Sequence, residues 1–286
     1  MEESTVLIPP DKLMEMRDLI LTDEPASQLD TRSKYEEFRI AYSGGTIVGY
    51  RTGKVVSNTP KCAAMIYRTI QKMEFEDAAY TLTIGSDEAG KGEWLGPLTV
   101  AAVALTPNQA KHLRALGVLD SKKLTRHKIA RKAQDIVSHC QAKHVLVISP
   151  RKFNTMFADF KEEGKNLNDI LAWAHSKVIS EVYKSTRNEF DDTSIRVVVD
   201  EFARVKTRLR LEQLIDLDRV TLVQKHGAED IMAVAAASIL ARDAYELWIA
   251  RNSDKLKLNL RSLSKKEAAA GEKTDELAKL HYMDKQ

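Results

Sequence analysis

The chain has 286 residues, of which 43% are hydrophobic and 30% are charged, and its formal net charge at pH 7 is +3. This composition is typical of a soluble globular protein that is long enough for one large domain or two modest ones. No apolar stretch approaches the ~20 residues of a membrane helix, and the first residues lack the basic flank and apolar core of a secretory signal. These features exclude a membrane-spanning or secreted class, so we expect a cytoplasmic protein.

Cys62 and Cys140 are far apart in the sequence, without the Cys-x-x-Cys spacing of metal and redox sites. Cysteines in a reducing compartment are normally unpaired thiols. We therefore expect neither a disulfide nor a zinc site.

The first eighty residues predict a small α+β unit. Residues 10–21 begin with a proline and an acid and continue with apolar residues at helical spacing, which predicts a helix. Three segments of alternating polarity follow and are separated by glycine-containing turns, which indicates hairpins: 37–42, 46–50 and 54–57. Residues 60–73 predict a second helix.

Acidic residues are absent from residues 38–73, although basic residues are frequent there: Arg39, Arg51, Lys54, Lys61, Arg68 and Lys72. This distribution predicts a local basic surface. The alternative is a solvated basic face that binds no partner, and charge alone does not separate the two.

After a predicted linker at residues 74–80, the chain alternates strands and helices. The predicted strands are 81–86, 98–105, 144–148, 195–200 and 219–224. The predicted helices lie near 108–116, 125–141, 166–187, 206–215 and 230–252. Residues 262–273, rich in Lys, Glu and Ala, predict a loose helix or a linker to a short last helix. The alternation predicts a layered α/β sheet.

Residues 84–97 read Ile-Gly-Ser-Asp-Glu-Ala-Gly-Lys-Gly-Glu-Trp-Leu-Gly-Pro and place Asp87 and Glu88 at the predicted end of a strand. Adjacent strand side chains point to opposite faces, so both carboxylates reach one site only if the backbone bends. Nearby glycines supply that freedom: Gly85, Gly90, Gly92 and Gly96. Such carboxylates suit Mg²⁺ or Mn²⁺ beside a phosphodiester. An ordinary acidic turn is the alternative for a lone pair.

Asp200 follows the apolar residues 197–199, so its side chain is expected at the edge of the sheet near Asp87 and Glu88. Two-metal hydrolysis requires carboxylates from different parts of a fold, because the ions lie roughly 3.5–4 Å apart and share ligands. The alternative is a polar end to a buried strand. Glu201 is the weaker candidate, since it would project to the opposite side.

Four segments resemble the type 2 ribonuclease H family, which contains ribonucleases HII and HIII. Residues 84–97 resemble its first motif, Asp-Glu-Ala/Val-Gly-x-Gly followed by Gly-Pro. In the same order, other segments resemble its Asp-Ser-Lys-Lys-Leu segment, the strand that ends in its third acid, and its Ala-Ala-Ser-Ile helix: 119–125, 197–203 and 235–242. The last residues, 277–282, resemble the end of ribonuclease HIII chains.

The resemblance implies a ribonuclease H-like fold, a mixed five-stranded sheet flanked by helices, over residues 81–286. Residues 1–75 resemble the small α+β, TATA-binding-protein-like domain that precedes it in the HIII group and grips the hybrid. The implied activity is metal-dependent hydrolysis of the RNA strand of RNA–DNA hybrids, leaving 5′-phosphate and 3′-hydroxyl ends. We expect a monomer that requires Mg²⁺ or Mn²⁺.

The implied catalytic and metal-binding acids are Asp87, Glu88, Asp200 and a fourth one. In the family the fourth acid stands ten residues before the serine of Ala-Ala-Ser-Ile, where this chain has Ala228. A single-residue deletion brings Glu229 into register, so Glu229 is preferred to Asp230. Asp230 is then expected to cap the following helix.

The resemblance also implies substrate contacts. Gly90-Lys91-Gly92 replaces the family's Gly-Arg-Gly, whose backbone reads the ribose 2′-hydroxyl; lysine keeps the charge but loses the planar fork of arginine. The remaining expected contacts are with the nucleic-acid backbone: Ser121, Lys122, Lys123, Arg51, Lys54, Arg242 and Lys279. For residues 121–123 the alternative is an ordinary helix N-terminus.

Two other functions compete with hybrid hydrolysis. One is incision at single ribonucleotides in duplex DNA, as ribonuclease HII performs. The additional N-terminal segment and the Leu-His-Tyr ending argue against it. The other is a non-catalytic nucleic-acid-binding protein, which the displaced fourth acid favours and the three intact acids oppose.

Overall fold

The computed structural model describes residues 4–119, 124–201, 204–271 and 273–283. The chain divides into two compact units: Met1–Ala79 with Thr106–Leu124, and Tyr80–Leu105 with Thr125–Gln286. The chain therefore builds two strands of the second unit before it contributes one more segment to the first. This division differs from one that follows chain order, because residues 106–124 group with the N-terminal residues.

The first unit contains one antiparallel sheet and three helices. Its elements are β1 (Ser4–Leu7), α1 (Leu13–Leu21), β2 (Ser27–Leu29), β3 (Glu36–Tyr42), β4 (Gly45–Tyr50), β5 (Lys54–Ser57), α2 (Pro60–Lys72) and α3 (Pro107–Ala115). The strand order is β1-β5-β4-β3-β2. The predicted helices and the three-stranded ribbon are present. Strands β1 and β2 were not predicted, because four and three residues are too few to show an alternating pattern.

Turn geometry explains one glycine of the ribbon, and tight packing explains another. Ser43 and Gly44 both have positive φ, 45° and 78°, which fits the two-residue hairpin turn between β3 and β4. A Cβ on Gly49 would lie 2.3 Å from the buried ring of Phe38, so only glycine fits on this face of β4.

Helix α3 belongs to the first unit through contacts with α2 and the residues after it. The Tyr67 hydroxyl and Nδ1 of His112 are 2.8 Å apart. Lys111 Nζ lies 3.1 Å from the Glu74 carboxylate, and the Arg114 guanidinium lies 4.5 Å from the centre of the Phe75 ring. These polar and cation–π contacts bind a segment distant in sequence to the N-terminal residues.

The second unit is a mixed sheet between helices. Its elements are β6 (Leu82–Ala89), β7 (Leu98–Leu105), α4 (Arg126–His139), β8 (Ala142–Ile148), α5 (Pro150–Glu162), α6 (Leu167–Thr186), β9 (Ile195–Asp200), α7 (Arg204–Leu211), β10 (Thr221–Lys225), α8 (Met232–Leu256), α9 (Lys265–Ala269) and α10 (Thr274–Leu277). The strand order is β10-β9-β6-β7-β8. Strands β10, β9 and β6 run parallel to one another, β7 runs antiparallel to β6, and β8 runs antiparallel to β7. The predicted mixed five-stranded sheet is confirmed.

Helix α5 was not predicted, although the sequence contains its signals. Ser149 caps it by accepting a hydrogen bond from the Lys152 amide, and Pro150 occupies the first turn. Phe153 and Met156 are buried at helical spacing. In the described part of the chain, no helix combines the length and apolar character that crossing a membrane would require.

Helices α6 and α8 cover opposite faces of β6. Leu82 and Ile84 pack into the core shared with α6. Gly85 faces the other way, where a Cβ would lie 2.3 Å from the Val234 nitrogen and 2.4 Å from the Ala233 carbonyl carbon of α8. Glycine therefore lets the first turn of α8 lie directly on the strand. Successive residues of β6 alternate between an α6 face and an α8 face.

Candidate active site

Asp87 and Glu88 lie within β6, since the strand continues to Ala89. Asp87 pairs with Ala101 and Glu88 with Val100 of β7. The expected end of the strand at residue 86 is therefore wrong, because the antiparallel ladder with β7 extends past both acids. As a consequence the two carboxylates point to opposite faces of the sheet.

Asp87 lies on the α8 face, where it accepts a hydrogen bond from the Ser238 side chain. Burial and the negative charge of Glu88 together raise the pKa of Asp87 to about 7, although the Ser238 hydrogen bond opposes the rise. An ionised carboxylate is thus costly at this position unless positive charge is added nearby.

Glu88 lies on the α6 face and has protein partners. His175 of α6 is fully buried; its Nε2 lies 3.1 Å from Glu88 Oε2 and its Nδ1 lies 2.9 Å from the Ser86 hydroxyl. Lys91 Nζ lies 3.2 Å from Glu88 Oε1. Burial alone would raise the pKa of Glu88, but the hydrogen bond and charge of His175 and the ammonium of Lys91 together lower it to about 2.

Asp200 ends β9 and shares a face with Asp87. In the parallel ladder Gly85 pairs with Val198, so Asp200 stands beside Asp87 two residues further along. Val198 packs against the start of α8, and Asp200 continues that face. Asp200 Oδ1 accepts a hydrogen bond of 3.1 Å from the Gly227 amide. Two carboxylates from adjacent parallel strands therefore meet on the α8 face.

The candidates for the fourth acid lie in the turn between β10 and α8. Glu229 and Asp230 are both exposed in the short helical turn Ala228–Asp230. Asp230 lies 3.1 Å from Lys225 Nζ. The expectation that Asp230 caps α8 is wrong, because the turn delays the helix: Ile231 is the N-cap, without a side-chain capping hydrogen bond. The choice of Glu229 stays a prediction.

The acids fit a hard divalent cation by their chemistry. Among the described residues, no group of three or more His, Cys, Asp or Glu side chains is already arranged to hold a metal ion. Asp87 and Asp200 nevertheless present carboxylate oxygens on one face, and such oxygens are what Mg²⁺ and Mn²⁺ prefer. The raised pKa of Asp87 indicates that a cation there would stabilise its ionised form.

The loop between β6 and β7 contains glycines of two kinds. Gly90 and Gly96 have φ of 81° and 79°, and a Cβ on Gly90 would lie 2.3 Å from the Pro97 carbonyl oxygen. The fold requires these two. Gly92 is exposed, and a Cβ there would meet nothing within 4 Å. Glycine at this position suits the close approach of a ligand rather than internal packing.

The C-terminal segment supports this loop. Lys279 is fully buried, and its Nζ donates to the carbonyl oxygens of Gly96 at 2.5 Å, Pro97 at 3.2 Å and Leu95 at 3.5 Å. Burial lowers the pKa of Lys279 to about 7. The expectation that Lys279 contacts phosphate is therefore wrong. The Tyr282 hydroxyl donates to the Lys91 carbonyl in the same loop.

The predicted substrate contacts outside this loop differ in their surroundings, and some lie outside the described residues. Ser121, Lys122 and Lys123 lie outside the described residues. In the first unit Lys54 is exposed, whereas Arg51 Nε lies 3.3 Å from the Glu37 carboxylate.

Carboxylates from outside the acid-free segment also approach its other arginines. Arg39 lies 2.6 Å from Glu36, and Arg68 lies 3.7 Å from Asp23. The basic surface is thus partly neutralised by residues that the linear sequence places outside it.

The sequence does not indicate that His175 contacts a catalytic acid or that Lys279 supports the glycine loop. His175 is one histidine on a largely buried helix, a pattern that core histidines also show. Lys279 looks like a surface lysine in a charged tail. His175 is 87 residues from Glu88 in the chain, and Lys279 is 183 residues from Gly96, so no local pattern marks either contact.

Comparison with known proteins identifies relatives over most of the chain. Residues 84–285 match the family model described as Ribonuclease HII. Ribonuclease HIII of Protochlamydia amoebophila is 37% identical over 220 residues, which cover 74% of this chain and 69% of that protein. Ribonuclease HIII of Chlamydia pneumoniae is 38% identical over 179 residues, which cover 62% of this chain and 56% of that protein.

Solved structures show the same fold. Bst-RNase HIII in complex with Mn²⁺ superposes with a TM-score of 0.62 at 24% identity, covering 98% of this chain and 96% of that one. RNase H3 of Aquifex aeolicus gives 0.54 at 18% identity, covering 98% of this chain and 100% of that one. Because the family model spans most of the chain and a relative above 30% identity is covered over two thirds of its length, the chain belongs to the ribonuclease HII family and, within it, to the ribonuclease HIII type of ribonuclease H.

Proposed function

We propose that this protein hydrolyses the RNA strand of RNA–DNA hybrids where β6 and β9 end in the mixed sheet, with Asp87 and Asp200 on the α8 face, Glu88 on the α6 face and Glu229 in the turn before α8 as the catalytic acids. The observation that carries the proposal is the placement of Asp87 beside Asp200 at the ends of adjacent parallel strands. The products would carry 5′-phosphate and 3′-hydroxyl ends, as the family implies.

The cofactor would be Mg²⁺ or Mn²⁺, held by Asp87 and Asp200, with Glu229 and, from the other face of β6, Glu88 as the remaining proposed ligands. A bound cation of this kind polarises a phosphodiester and makes water a stronger nucleophile. Bst-RNase HIII, with the same fold, was solved in complex with Mn²⁺. In this chain Ser238 orients the Asp87 carboxylate, and His175 orients that of Glu88.

Recognition of the RNA strand is assigned to the loop Gly90-Lys91-Gly92. Its exposed Gly92 leaves room for a ribose to approach the backbone. Lys279 and Tyr282 fix the loop by donating hydrogen bonds to the carbonyl oxygens of Gly96 and Lys91. Backbone groups that contact the 2′-hydroxyl would separate RNA from DNA. Lys91 pairs with Glu88, so the loop and the acids are physically linked.

Residues 1–75 are proposed to form a TATA-binding-protein-like domain that grips the hybrid, with residues 81–286 as the catalytic domain. Arg51 and Lys54, on the β4–β5 hairpin, are its proposed phosphate contacts, and Ser121, Lys122 and Lys123 are proposed to touch the backbone near the cut. The support is the exposure of Arg51 and Lys54 and the five-stranded antiparallel sheet that carries them. A cytoplasmic, monomeric state is proposed as well, and the free thiols of Cys62 and Cys140 agree with a reducing compartment.

A side-by-side cleavage assay tests the proposal. Substrates are a uniform RNA–DNA hybrid, a DNA duplex with one ribonucleotide, and plain duplex DNA, each with Mg²⁺, Mn²⁺ or chelator. We expect metal-dependent cleavage of the hybrid and none of the plain duplex. Preferential incision at the single ribonucleotide would instead favour the ribonuclease HII type of activity. Hybrid binding without cleavage under either metal would favour a non-catalytic role.

A further inference from the structure

Three arginines surround one buried carboxylate on the second unit. Glu246 of α8 is only 7% exposed. Arg242 Nε lies 3.2 Å from its Oε1, Arg126 Nε lies 3.4 Å from its Oε2, and Arg261 also donates to Oε2. The arginines come from α8, from the first turn of α4 and from the turn at residues 260–262. We call these four residues the arginine cluster.

The arginine cluster has more positive charge than Glu246 needs. Three guanidiniums stand against one carboxylate, which leaves an excess of two positive charges. Arg126, Arg242 and Arg261 have side chains that are 54%, 58% and 46% exposed, and each uses one guanidinium nitrogen to contact Glu246. Half-exposed arginines anchored on a buried carboxylate are suited to bidentate contacts with phosphate oxygens through their remaining donors.

The arginine cluster adjoins the candidate active site along α8. Arg242 stands one helical turn after Ser238, the partner of Asp87, which is about 6 Å along the helix axis. Tyr245, on the same helix, contacts Gly90 with its ring and donates to the Leu95 carbonyl. Leu260, next to Arg261, is buried in the cluster that contains Leu95 and Tyr245. Helix α8 therefore connects the arginine cluster both to Ser238, the partner of Asp87, and to Tyr245, which packs against the glycine loop.

We propose that Arg126, Arg242 and Arg261 form a phosphate-binding site that holds the nucleic-acid backbone beside the catalytic site, with Glu246 as the residue that positions all three. The ligand class is a phosphodiester strand of the hybrid. This inference rests on the proposed function.

The competing explanation is that the arginines only neutralise Glu246. The chain offers a matched example of such a pair. Arg208 Nε of α7 lies 2.7 Å from Glu212, which is also four residues away and directly follows that helix, and Arg208 is 59% exposed. Glu212 is 39% exposed, compared with 7% for Glu246. Arg208 and Arg242 thus share helix spacing, donor atom and exposure, and differ in the buried carboxylate and the two additional arginines.

The test uses full-length protein with Asp87→Asn throughout, so that the hybrid is bound without being cut. Binding of a fluorescently labelled RNA–DNA hybrid is measured over a range of salt concentrations for Arg126→Gln, Arg242→Gln and Arg261→Gln, with Arg208→Gln as the control. Each cluster variant is expected to weaken binding about tenfold at low salt, the size of one charge-assisted hydrogen bond. Each should also reduce the salt slope by about one, as expected for one lost phosphate contact. Arg208→Gln should change neither quantity.

The outcomes separate this inference from the proposed function. If wild-type protein neither binds nor cuts the hybrid, the proposed function is wrong. If wild-type protein cuts the hybrid and the cluster variants behave like Arg208→Gln, only the phosphate site is wrong. Each single variant leaves Glu246 two arginine partners, so folding should persist, as a thermal melt would show. Unfolding of all three variants would assign the arginine cluster to stability and overturn its binding role.

Discussion

Asp87 and Glu88 are neighbours on one strand, yet their surroundings shift their pKa values in opposite directions. On the α8 face, burial raises the pKa of Asp87 to about 7. On the α6 face, His175 and Lys91 outweigh burial and lower the pKa of Glu88 to about 2. A single step along a strand exchanges one face of a sheet for the other, so adjacent acids can acquire different roles.

The difference indicates which acid needs a cofactor. Glu88 is neutralised by side chains of the protein, so its carboxylate is held in place before any ligand binds. Asp87 has a hydroxyl partner in Ser238 and an acidic neighbour in Asp200. A divalent cation would therefore be stabilised mainly by Asp87 and Asp200. Glu88 would contribute a carboxylate that protein side chains already hold in place.

The largest expected effect is the loss of Asp87. Asp87→Asn should reduce hybrid cleavage by about a thousandfold, the upper range for removing one group that stabilises a transition state. Binding should be nearly unchanged, because the variant leaves the basic contacts intact. Rates and hybrid affinities of the variant and of wild-type protein provide the check. Near-normal cleavage by the variant would remove Asp87 from the catalytic set.

A smaller effect is expected in the turn before α8. Glu229→Gln should slow cleavage about a hundredfold if Glu229 is the fourth acid. Asp230→Asn should have little effect on the rate and at most ~1 kcal/mol on stability, because it removes one exposed ion pair with Lys225. Single-turnover rates and urea unfolding of both variants compare the two residues. The reverse order of rates would assign the role to Asp230.

On the α6 face, His175 should act as a positioning residue. His175→Leu removes the partner of Glu88 and Ser86 and should reduce activity about tenfold, within the range seen when supporting residues of a metal site are lost. The metal concentration for half-maximal activity should rise, which a merely structural defect would not cause. His139→Gln, at an exposed position of α4, is the control. An unchanged metal requirement in His175→Leu would contradict the positioning role.

Much of the second unit could be predicted from the sequence because its strands are continuous apolar runs with clear ends. Residues 98–105 lie between Pro97 and the Thr106-Pro107 helix start, and the strand has those limits. Residues 195–200 were equally well defined, since Asp200 interrupts the apolar run. The end of β6 was predicted too early, because its last residues are polar and are held by pairing with β7 rather than by burial.

The acids of the site could be named from motifs, but their environments could not. Motif spacing does not reveal that Glu88 meets His175, or that Asp230 meets Lys225 instead of capping α8. The arginine cluster is a similar case, since Arg126 and Glu246 are 120 residues apart. Such contacts depend on which strands and helices become neighbours, and that information is not local in sequence.

The smallest expected effect is the pH dependence of stability in metal-free protein, and it tests the contrast between the two acids directly. A carboxyl group whose pKa is higher in the folded state binds its proton more tightly there, so Asp87 should cost stability as pH rises from its ordinary pKa of 3.8 to about 7. The contribution of Glu88 to stability changes with pH in the opposite direction. Its contribution is complete above its ordinary pKa of 4.5 and is lost as pH falls towards about 2.

Thermal melts in chelator between about pH 2.5 and 8 would separate the two contributions, because this range covers most of the Glu88 transition and extends about one unit above that of Asp87. Asp87→Asn should become more stable than wild-type protein as pH rises through 7, by roughly 1–2 kcal/mol, because a neutral amide replaces a carboxylate that is costly to ionise. Glu88→Gln should be less stable than wild-type protein above pH 4.5 and should lose that disadvantage in acid. Adding Mn²⁺ should reverse the first difference, since a cation that binds the folded state stabilises wild-type protein and not the amide variant. If both variants shift in the same direction at pH 7 without metal, the two faces of β6 are not electrostatically distinct, and the assignment of the cation to the Asp87 side fails.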